Sequence, residues 1–249
     1  QSKSFRRIVF DELCANFLTI SKNRKRIRIQ KSPKIFTSKN SLLIKKNLPF
    51  ILTNDQEKVL EEINQDLLSD KRMFRIIQGD VGSGKTIVSL LSILNVIKSG
   101  HQCALMSPTE IIAKQHYTLI KKIFKNENFD IEFLTGKTEY KSRKIILENL
   151  TSGKIKLLIG THALFQKKIN FYKLGLVVID EQHKFGVKQR SDLAKKGGDD
   201  CDVLLMSATP IPRTMMMSLY GDMDISKITE KPAKRKKIIT LSKPEKKIN

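Results

Sequence analysis

The stretch that decides the fold runs Gly79-Asp80-Val81-Gly82-Ser83-Gly84-Lys85-Thr86. It matches the pattern G-x-x-x-x-G-K-[ST] at every defined position. Glycines in such a turn allow backbone N–H groups to curl around phosphate oxygens without side-chain clashes. The lysine of the pattern reaches the β- and γ-phosphates of a nucleotide, and the hydroxyl that follows it is a ligand for Mg²⁺. The stretch therefore predicts a phosphate-binding loop in which Lys85 and Thr86 carry the chemistry.

The flanking sequence supports this prediction. A short apolar run at residues 74–77 predicts a strand that leads into the loop, and the strongly apolar residues 87–97 predict a helix that leaves it near Lys85. Gly100 is a typical C-terminal stop for that helix. The N-terminus of the helix adds the positive end of its dipole to the phosphate site. A glycine-rich turn that matched by chance would not be expected between a strand and a helix placed in this way.

The alternation of strand and helix continues along the chain. Residues 138–150 and 111–124 have helical periodicity, and a further helix begins after Thr53, with one apolar face formed by Val59, Leu60, Ile63 and Leu67. Strands are predicted at residues 103–106, 131–134, 155–159, 176–179 and 203–206. Short, nearly continuous apolar strands between helices predict an α/β fold of the P-loop NTPase class, with a parallel sheet covered on both faces. Ligands of such sheets bind at the carboxyl ends of the strands.

The first 49 residues differ from this pattern and form a lead-in. Its apolar positions recur at helical spacing and predict one amphipathic helix: Phe10, Leu13, Phe17 and Leu18. A basic stretch follows at residues 21–39, with four cations close together: Arg24, Lys25, Arg26 and Arg28. Such a run is expected to form a solvated face or to contact phosphates.

The overall charge also indicates a polyanionic partner. With 47 basic and 25 acidic residues the net charge is +22, which suits nucleic acid or an anionic membrane surface, although a general bias toward lysine is an alternative. The longest clean apolar run, residues 174–179, is far shorter than the roughly 20 residues of a membrane-spanning helix. No signal peptide is visible, and Gln1 indicates a piece of a longer protein. Three widely spaced cysteines indicate neither a zinc site nor a disulfide framework, so a reducing cytoplasm is expected.

A second candidate for nucleotide chemistry follows the strand at residues 176–179. The sequence there is Asp180-Glu181-Gln182-His183. An aspartate at the carboxyl end of a buried strand can hold Mg²⁺ directly or through water, and Glu181 can then orient or deprotonate an attacking water. An ordinary polar loop is the alternative reading of an Asp-Glu pair, but the complete phosphate loop earlier in the chain favours the catalytic one.

The Asp-Glu-Gln-His stretch resembles the DExH variant of the second nucleotide motif in superfamily 2 helicases. The resemblance implies a RecA-like first motor lobe that binds ATP and Mg²⁺. It also implies that Gln56, preceded by Phe50, recognises adenine. The spacing of Thr53 and Gln56 is at the same time that of a helix capping box, and the two roles are compatible.

Three more stretches, at residues 108–116, 135–136 and 160–162, resemble the strand-gripping motifs of this family. The loops of these motifs hold phosphates without reading bases. The nucleic-acid contacts implied by the resemblance are Pro108, Thr109, Glu110, Gln115, His116, Thr135, Gly136, Gly160, Thr161 and His162. The sequence at Ser207-Ala208-Thr209 resembles the motif that couples the nucleotide site to strand movement. In that role the hydroxyl of Ser207 or Thr209 is expected to bond to His183 or Glu181.

Longer matches at residues 180–190 and 206–214 resemble the subgroup that remodels branched DNA at replication forks and Holliday junctions during recombination and repair. Lys184 and Ser207 are mild departures from it. Transcription-repair translocases share much of this region, but they usually carry glutamate where this chain has Gln182. The resemblance covers roughly residues 50–240 and implies a motor lobe at 50–235. It further implies a wedge domain before residues 1–49 and a second RecA-like lobe after residues 236–249, because no further strand–helix series is predicted after Arg213.

Two other functions remain compatible with parts of the sequence. A non-catalytic module that binds nucleotide and nucleic acid would carry the same motifs, so only ATP turnover separates it from a helicase lobe. A GTPase or small-molecule kinase would also have the phosphate loop. A GTPase is expected to carry an N-K-x-D guanine motif, which this sequence lacks, and neither enzyme would explain the helicase-like stretches.

Overall fold

The computed structural model describes residues 2–27, 30–36, 48, 50–166, 168–180, 196–209 and 223–230. A long helix, α1, comes first, and a series of alternating strands and helices follows it. The elements in chain order are α1 (Lys3–Ile27), α2 (Asn54–Leu68), β1 (Phe74–Gly79), α3 (Lys85–Lys98), β2 (Gln102–Met106), α4 (Glu110–Ile123), β3 (Asp130–Leu134), α5 (Tyr140–Thr151), β4 (Ile155–Gly160), β5 (Leu174–Ile179), β6 (Asp202–Ser207) and β7 (Asp224–Ile228). Short 3₁₀ turns lie at His162–Phe165 and Gly198–Asp200.

The seven strands form one sheet in the order β3-β4-β2-β5-β6-β1-β7, and every neighbouring pair is parallel. All carboxyl ends therefore lie at the same edge, which gathers the loops that follow β1 to β4, together with Asp180 after β5 and residues 208–209 after β6. The α/β fold and the six predicted strands are confirmed. The seventh, β7, was not predicted, because only its isoleucines are apolar and its burial alternates along an edge position beside β1.

The core lies on both faces of this sheet. Successive residues of one strand enter opposite clusters: Ile77 packs with α2, α3 and α4, whereas Ile76 packs on the face that α5 covers. Helix α3 is apolar on nearly all sides because it packs against both α2 and the sheet. Each large aliphatic side chain buried in this way contributes about 1.5–3 kcal/mol to the free energy of unfolding. The core thereby fixes the position of the helix that leaves the phosphate loop.

The amphipathic helix of the lead-in is confirmed as α1, but its apolar residues are not buried. Phe10 is 61% exposed and Leu18 is 71% exposed, and Leu13 and Phe17 are about half exposed. Hydrophobic periodicity thus predicts the helix but not the exposure of its apolar side chains. None of the helices in the described ranges combines the length and apolar character needed to cross a bilayer. The boundaries near residues 49 and 235 stay predictions, and residues 236–249 lie outside the described part.

The expectation that the basic stretch forms a solvated or phosphate-contacting face is wrong for Lys31 and Lys34. Both ammonium groups are fully buried and bind the same carboxylate, that of Asp202, with Nζ–Oδ2 distances of 2.7 Å. Asp202 is the first residue of β6 and therefore lies at the edge of the sheet opposite the phosphate loop. The two lysines link residues 30–36 to that edge, because their ammonium groups share the single negative charge of Asp202. The side chains of Arg24, Lys25, Arg26 and Arg28 lie outside the described residues.

Candidate nucleotide and nucleic-acid site

The turn between β1 and α3 has a left-handed backbone at two glycines, with φ of +76° at Gly82 and +90° at Gly84. Residues with a side chain rarely adopt this conformation, which explains why glycines stand there. Helix α3 begins at the next residue, Lys85, so its N-terminal end adjoins the loop. A helix N-terminus after such a turn is suited to binding an anion.

Lys85 lies inside the curve of the loop. Its Nζ donates hydrogen bonds to the carbonyl oxygens of Gly79, at 2.6 Å, and Asp80, at 2.9 Å, and the residue is only 8% exposed. The hydroxyl oxygen of Ser83 is buried nearby, and no hydrogen-bond partner for it occurs among the described residues. A phosphate group would supply an acceptor to both side chains. The loop residues present therefore fit a nucleotide triphosphate.

Gln56 connects α2 to this loop. The capping box is confirmed: Thr53 Oγ1 accepts from the N–H of Gln56 at 3.3 Å, and Gln56 Oε1 accepts from the N–H of Thr53 at 3.0 Å. The amide nitrogen of Gln56 also donates to the carbonyl of Ser83 at 2.7 Å. A side chain at Gly84 would place its Cβ 2.2 Å from that nitrogen. Adenine recognition by Gln56 and by Phe50, which is 43% exposed, stays a prediction.

Asp180 directly follows β5 at the same edge of the sheet. Its N–H donates to the carbonyl of Met106 at 2.8 Å, which fixes its main chain against β2. Its Oδ2 lies 2.9 Å from Nε2 of His116, a residue of α4. The resemblance grouped His116 with the nucleic-acid contacts, whereas the structure places its ring, with 10% of the side chain exposed, beside the predicted metal ligand. Helical spacing could have indicated that His116 is buried, since it places His116 on the same face as Ala113 and Ile120.

The oxygen donors available for Mg²⁺ are the Thr86 hydroxyl and the Asp180 carboxylate. Hard oxygen ligands of this kind, few in number and completed by phosphate oxygens and water, are what Mg²⁺ prefers. These residues fit the ion. Glu181 and His183, predicted to act on water and in coupling, lie outside the described residues, so their roles stay predictions.

The coupling motif lies beside the phosphate loop. Ser207 pairs in register with Gln78 of β1, and the amide nitrogen of Gln78 donates to the carbonyl of Thr209 at 3.2 Å. The hydroxyl oxygens of Ser207 and Thr209 are 3.0 Å apart. The predicted bonds to Glu181 or His183 involve undescribed residues. The contact with Gln78 is a link to the nucleotide site that sequence reasoning missed.

The loops after β2, β3 and β4 surround a cavity of about 280 Å³, and these strands are neighbours in the sheet. It is lined by Pro108, Glu110, Gly136, Thr161, His162, Ala163 and Gln166. Five of these residues, in three separate motifs, are ones that the family resemblance assigned to nucleic-acid contact. The fold thus brings the three motifs together around one concave site.

The remaining residues of these motifs shape the loops. Thr109 caps α4 through a hydrogen bond from the N–H of Ile112 to its Oγ1 at 3.3 Å, and the buried Thr135 accepts from the N–H of Lys137 at 3.3 Å. Gly160 has no room for a side chain, since a Cβ would lie 2.1 Å from the carbonyl oxygen of Leu134. Gln115 is exposed on α4.

Three cations beside the cavity were not predicted. Lys137 forms an ion pair with Glu110, with an Nζ–Oε2 distance of 3.2 Å, and its side chain is 85% exposed. Arg143 donates to the side-chain oxygen of Gln166. Lys196 donates to the carbonyl of Gln166 at 2.7 Å, and burial lowers its pKa. Lys137 could have been predicted from the sequence, because it directly follows Gly136. Arg143 and Lys196 could not, because only the fold places them beside the cavity.

Comparison with known proteins identifies this combination of sites. The DEAD/DEAH box helicase family signature matches residues 53–218. The ATP-dependent DNA helicase RecG of Aquifex aeolicus is 47% identical over 238 residues, which cover 94% of this chain and 30% of that protein. RecG of Bacillus subtilis is 46% identical over 237 residues, covering 94% of this chain and 35% of the relative. The chain thus spans about a third of the length of these relatives.

Solved structures agree with the sequence relatives. A structure of RecG bound to a three-way DNA junction superposes with a TM-score of 0.78 at 43% identity, covering 89% of this chain and 29% of that one. The DEAD-box helicase Mss116, solved with single-stranded RNA, gives a TM-score of 0.59 at 20% identity over 81% of this chain and 47% of that one, which shows a shared fold. The matched share of the RecG structure corresponds to one part of a larger protein.

Proposed function

Because the chain belongs to the DEAD/DEAH box helicase family, we propose that it is the ATP-binding motor lobe of a DNA helicase that, like its RecG relatives, remodels branched DNA. Family membership implies ATP use. The observation that carries the nucleic-acid part of the proposal is the joint placement of two sites on one sheet edge, and the choice of DNA rests on the RecG relatives. The phosphate loop follows β1, and the cavity lined by the three strand-gripping motifs follows β2, β3 and β4.

In this proposal the phosphate loop binds the triphosphate of ATP. The N–H groups of the loop and of the first turn of α3 donate to phosphate oxygens, and Lys85 exchanges the carbonyls of Gly79 and Asp80 for the β- and γ-phosphates. Thr86 and Asp180 would hold Mg²⁺, which would supply positive charge next to the phosphates. Glu181 orients or deprotonates the attacking water. Gln56, whose side chain donates to the carbonyl of Ser83 in the loop, contacts adenine in this proposal.

The cavity after β2, β3 and β4 would take the sugar-phosphate backbone. Its threonine and histidine side chains, and the N–H groups of its loops, are donors that bind phosphate without reading sequence. Lys137, Arg143 and Lys196 supply positive charge at its rim. Phosphate contacts dominate the affinity of proteins for DNA. These three cations beside the cavity can therefore contribute to DNA binding, whereas the buried lysines at the opposite edge of the sheet cannot reach a phosphate.

The complete activity is proposed for this lobe together with others. Since the chain spans about a third of its relatives, we expect a second RecA-like lobe to supply arginine fingers to the ATP site. A wedge domain would grip the branch point. The RecG relatives support branched DNA as the substrate over the double-stranded track of a transcription-repair translocase.

The experiment that tests the DNA site compares two double variants in binding to a labelled forked DNA. Lys137→Ala/Arg143→Ala removes two cations beside the cavity, and Lys154→Ala/Lys173→Ala removes two exposed cations that precede β4 and β5 at the opposite edge. We expect the first variant to bind DNA more weakly. Its plot of log affinity against log salt should also be less steep by about one to two units, at about one unit per lost contact. Equal effects of the two variants would contradict the assignment of the cavity to DNA.

A further inference from the structure

His116 occupies a position that an apolar side chain would ordinarily take. The buried face of α4 also carries Ala113 and Ile120, and His116 is 8% exposed between them. Burial of an imidazole lowers the stability of the fold unless its polar atoms are hydrogen-bonded. A histidine on the buried face of a helix therefore needs a hydrogen-bond partner. The partner that the structure shows is Asp180, at 2.9 Å between Nε2 and Oδ2.

The two contacts of Asp180 have different effects. The hydrogen bond from its N–H to the carbonyl of Met106 fixes the main chain at the end of β5. It does not fix the rotation of the carboxylate about the side-chain bonds. The bond from His116 does, because it holds one oxygen at a defined point. An ionised carboxylate is only an acceptor, so the hydrogen of this bond is on Nε2 of the imidazole.

Helix α4 is itself firmly placed, which makes it a suitable support. Thr109 caps its first turn by accepting from the N–H of Ile112, and Phe124 at its end is buried in the core. The helix packs against β3 and β4. His116 therefore approaches Asp180 from a rigid element and not from a loop.

We propose that His116 is a positioning residue for Asp180: its Nε2–H holds Oδ2 and thereby presents the other carboxylate oxygen to the Mg²⁺ that accompanies ATP. This inference rests on the proposed function, because it gives Asp180 the metal-binding role. Hydrogen-bond partners that orient a metal ligand typically change metal affinity by 10–100-fold when they are removed. Sequence resemblance gave no such role to His116.

The test uses two polar substitutions of different length. Glutamine at this position, His116→Gln, can place an amide N–H about where Nε2 lies, whereas His116→Asn is one methylene shorter and falls short of Asp180. Each protein is saturated with a fluorescent ATP analogue in EDTA and then titrated with MgCl₂. Thr118→Ala, an exposed position two residues further along α4, is the matched control.

We expect His116→Asn to need roughly tenfold more MgCl₂ than the unaltered chain for the half-maximal change in fluorescence of the analogue. His116→Gln and Thr118→Ala should need about as much MgCl₂ as the unaltered chain. Binding of the analogue in EDTA should be equal in all four proteins, which also shows that the variants fold. Equal MgCl₂ requirements for the asparagine and glutamine variants would overturn the positioning role while leaving the proposed function intact. Failure of the unaltered chain to bind the analogue at all would overturn both.

Discussion

Removing the charge of Asp202 should destabilise this protein more than most single substitutions, since that carboxylate is the meeting point of two buried cations. Lys31 Nζ donates to both of its oxygens, at 2.8 and 2.7 Å, and Lys34 Nζ donates to one of them at 2.7 Å. The Asp202 carboxylate also accepts a hydrogen bond from the N–H of Met73 at 2.6 Å. Burial lowers the pKa of Lys31 even though Asp202 opposes that shift, so desolvation is the larger effect on this lysine.

The expected magnitude follows from what each substitution leaves unpaired. Asp202→Asn keeps the shape but takes the shared carboxylate charge from two buried ammonium groups, and loss of one partner of a buried ion pair costs about 3–5 kcal/mol. Lys34→Met leaves Asp202 with Lys31, so we expect a smaller cost of about 1–3 kcal/mol. The apolar triple variant Lys31→Met/Lys34→Met/Asp202→Leu should recover most of the lost stability, because it removes all three buried charges together.

The assay is guanidinium chloride denaturation followed by circular dichroism, with the free energy of unfolding extrapolated to water. Lys154→Met, an exposed lysine before β4, is the control and should change the free energy of unfolding by less than about 0.5 kcal/mol. A cost below about 1 kcal/mol for Asp202→Asn would refute the reasoning, since it would mean that the lysines reach water when the carboxylate charge is lost.

Three further outcomes are expected. ATP turnover by this chain alone should be low with and without forked DNA, because a second lobe completes the site; clear DNA-stimulated turnover that Glu181→Gln abolishes would contradict this. Affinity for forked DNA, measured by fluorescence anisotropy, should fall about 40-fold between 50 and 200 mM salt if three phosphates are contacted, and a flat response would contradict a phosphate-binding surface. Burial, aided by the charges of Lys173 and Lys34, lowers the pKa of His101 to about 4. The unfolded chain therefore takes up a proton that the folded chain resists, so stability should fall by up to about 3 kcal/mol as the pH drops from about 6.5 to about 4. Thermal melts of His101→Gln should lose that part of the pH dependence, and an unchanged slope would contradict it.

The sequence predicted those features whose signal is local. Strands such as β5 are continuous apolar runs, the phosphate loop is eight consecutive residues, and the capping box of Thr53 and Gln56 needs only their spacing. The common edge of the site also follows from local patterns, because a parallel sheet places all carboxyl ends together. For the same reason the residues assigned to nucleic-acid contact could be expected to meet around one cavity.

The features that were missed depend on contacts between distant parts of the chain. Lys31 and Lys34 looked like members of a solvated run, because their partner, Asp202, lies some 170 residues away. His116 looked like part of a nucleic-acid motif because its partner, Asp180, follows another strand. Strand β7 has little apolar signal of its own and exists through its pairing with β1. Such pairings become visible only when the topology of the sheet is known.

The central claim is that the loop after β1 binds the triphosphate of ATP through Lys85, and equilibrium titration with a fluorescent ATP analogue in the presence of MgCl₂ tests it most directly. A charge-assisted contact contributes about 1.5–3 kcal/mol, so Lys85→Ala should weaken binding by roughly 10–150-fold. The predicted result is saturable binding by the unaltered chain and binding weakened by this factor in Lys85→Ala. Equal affinity of the two proteins for the analogue, or no binding by either, would contradict the account.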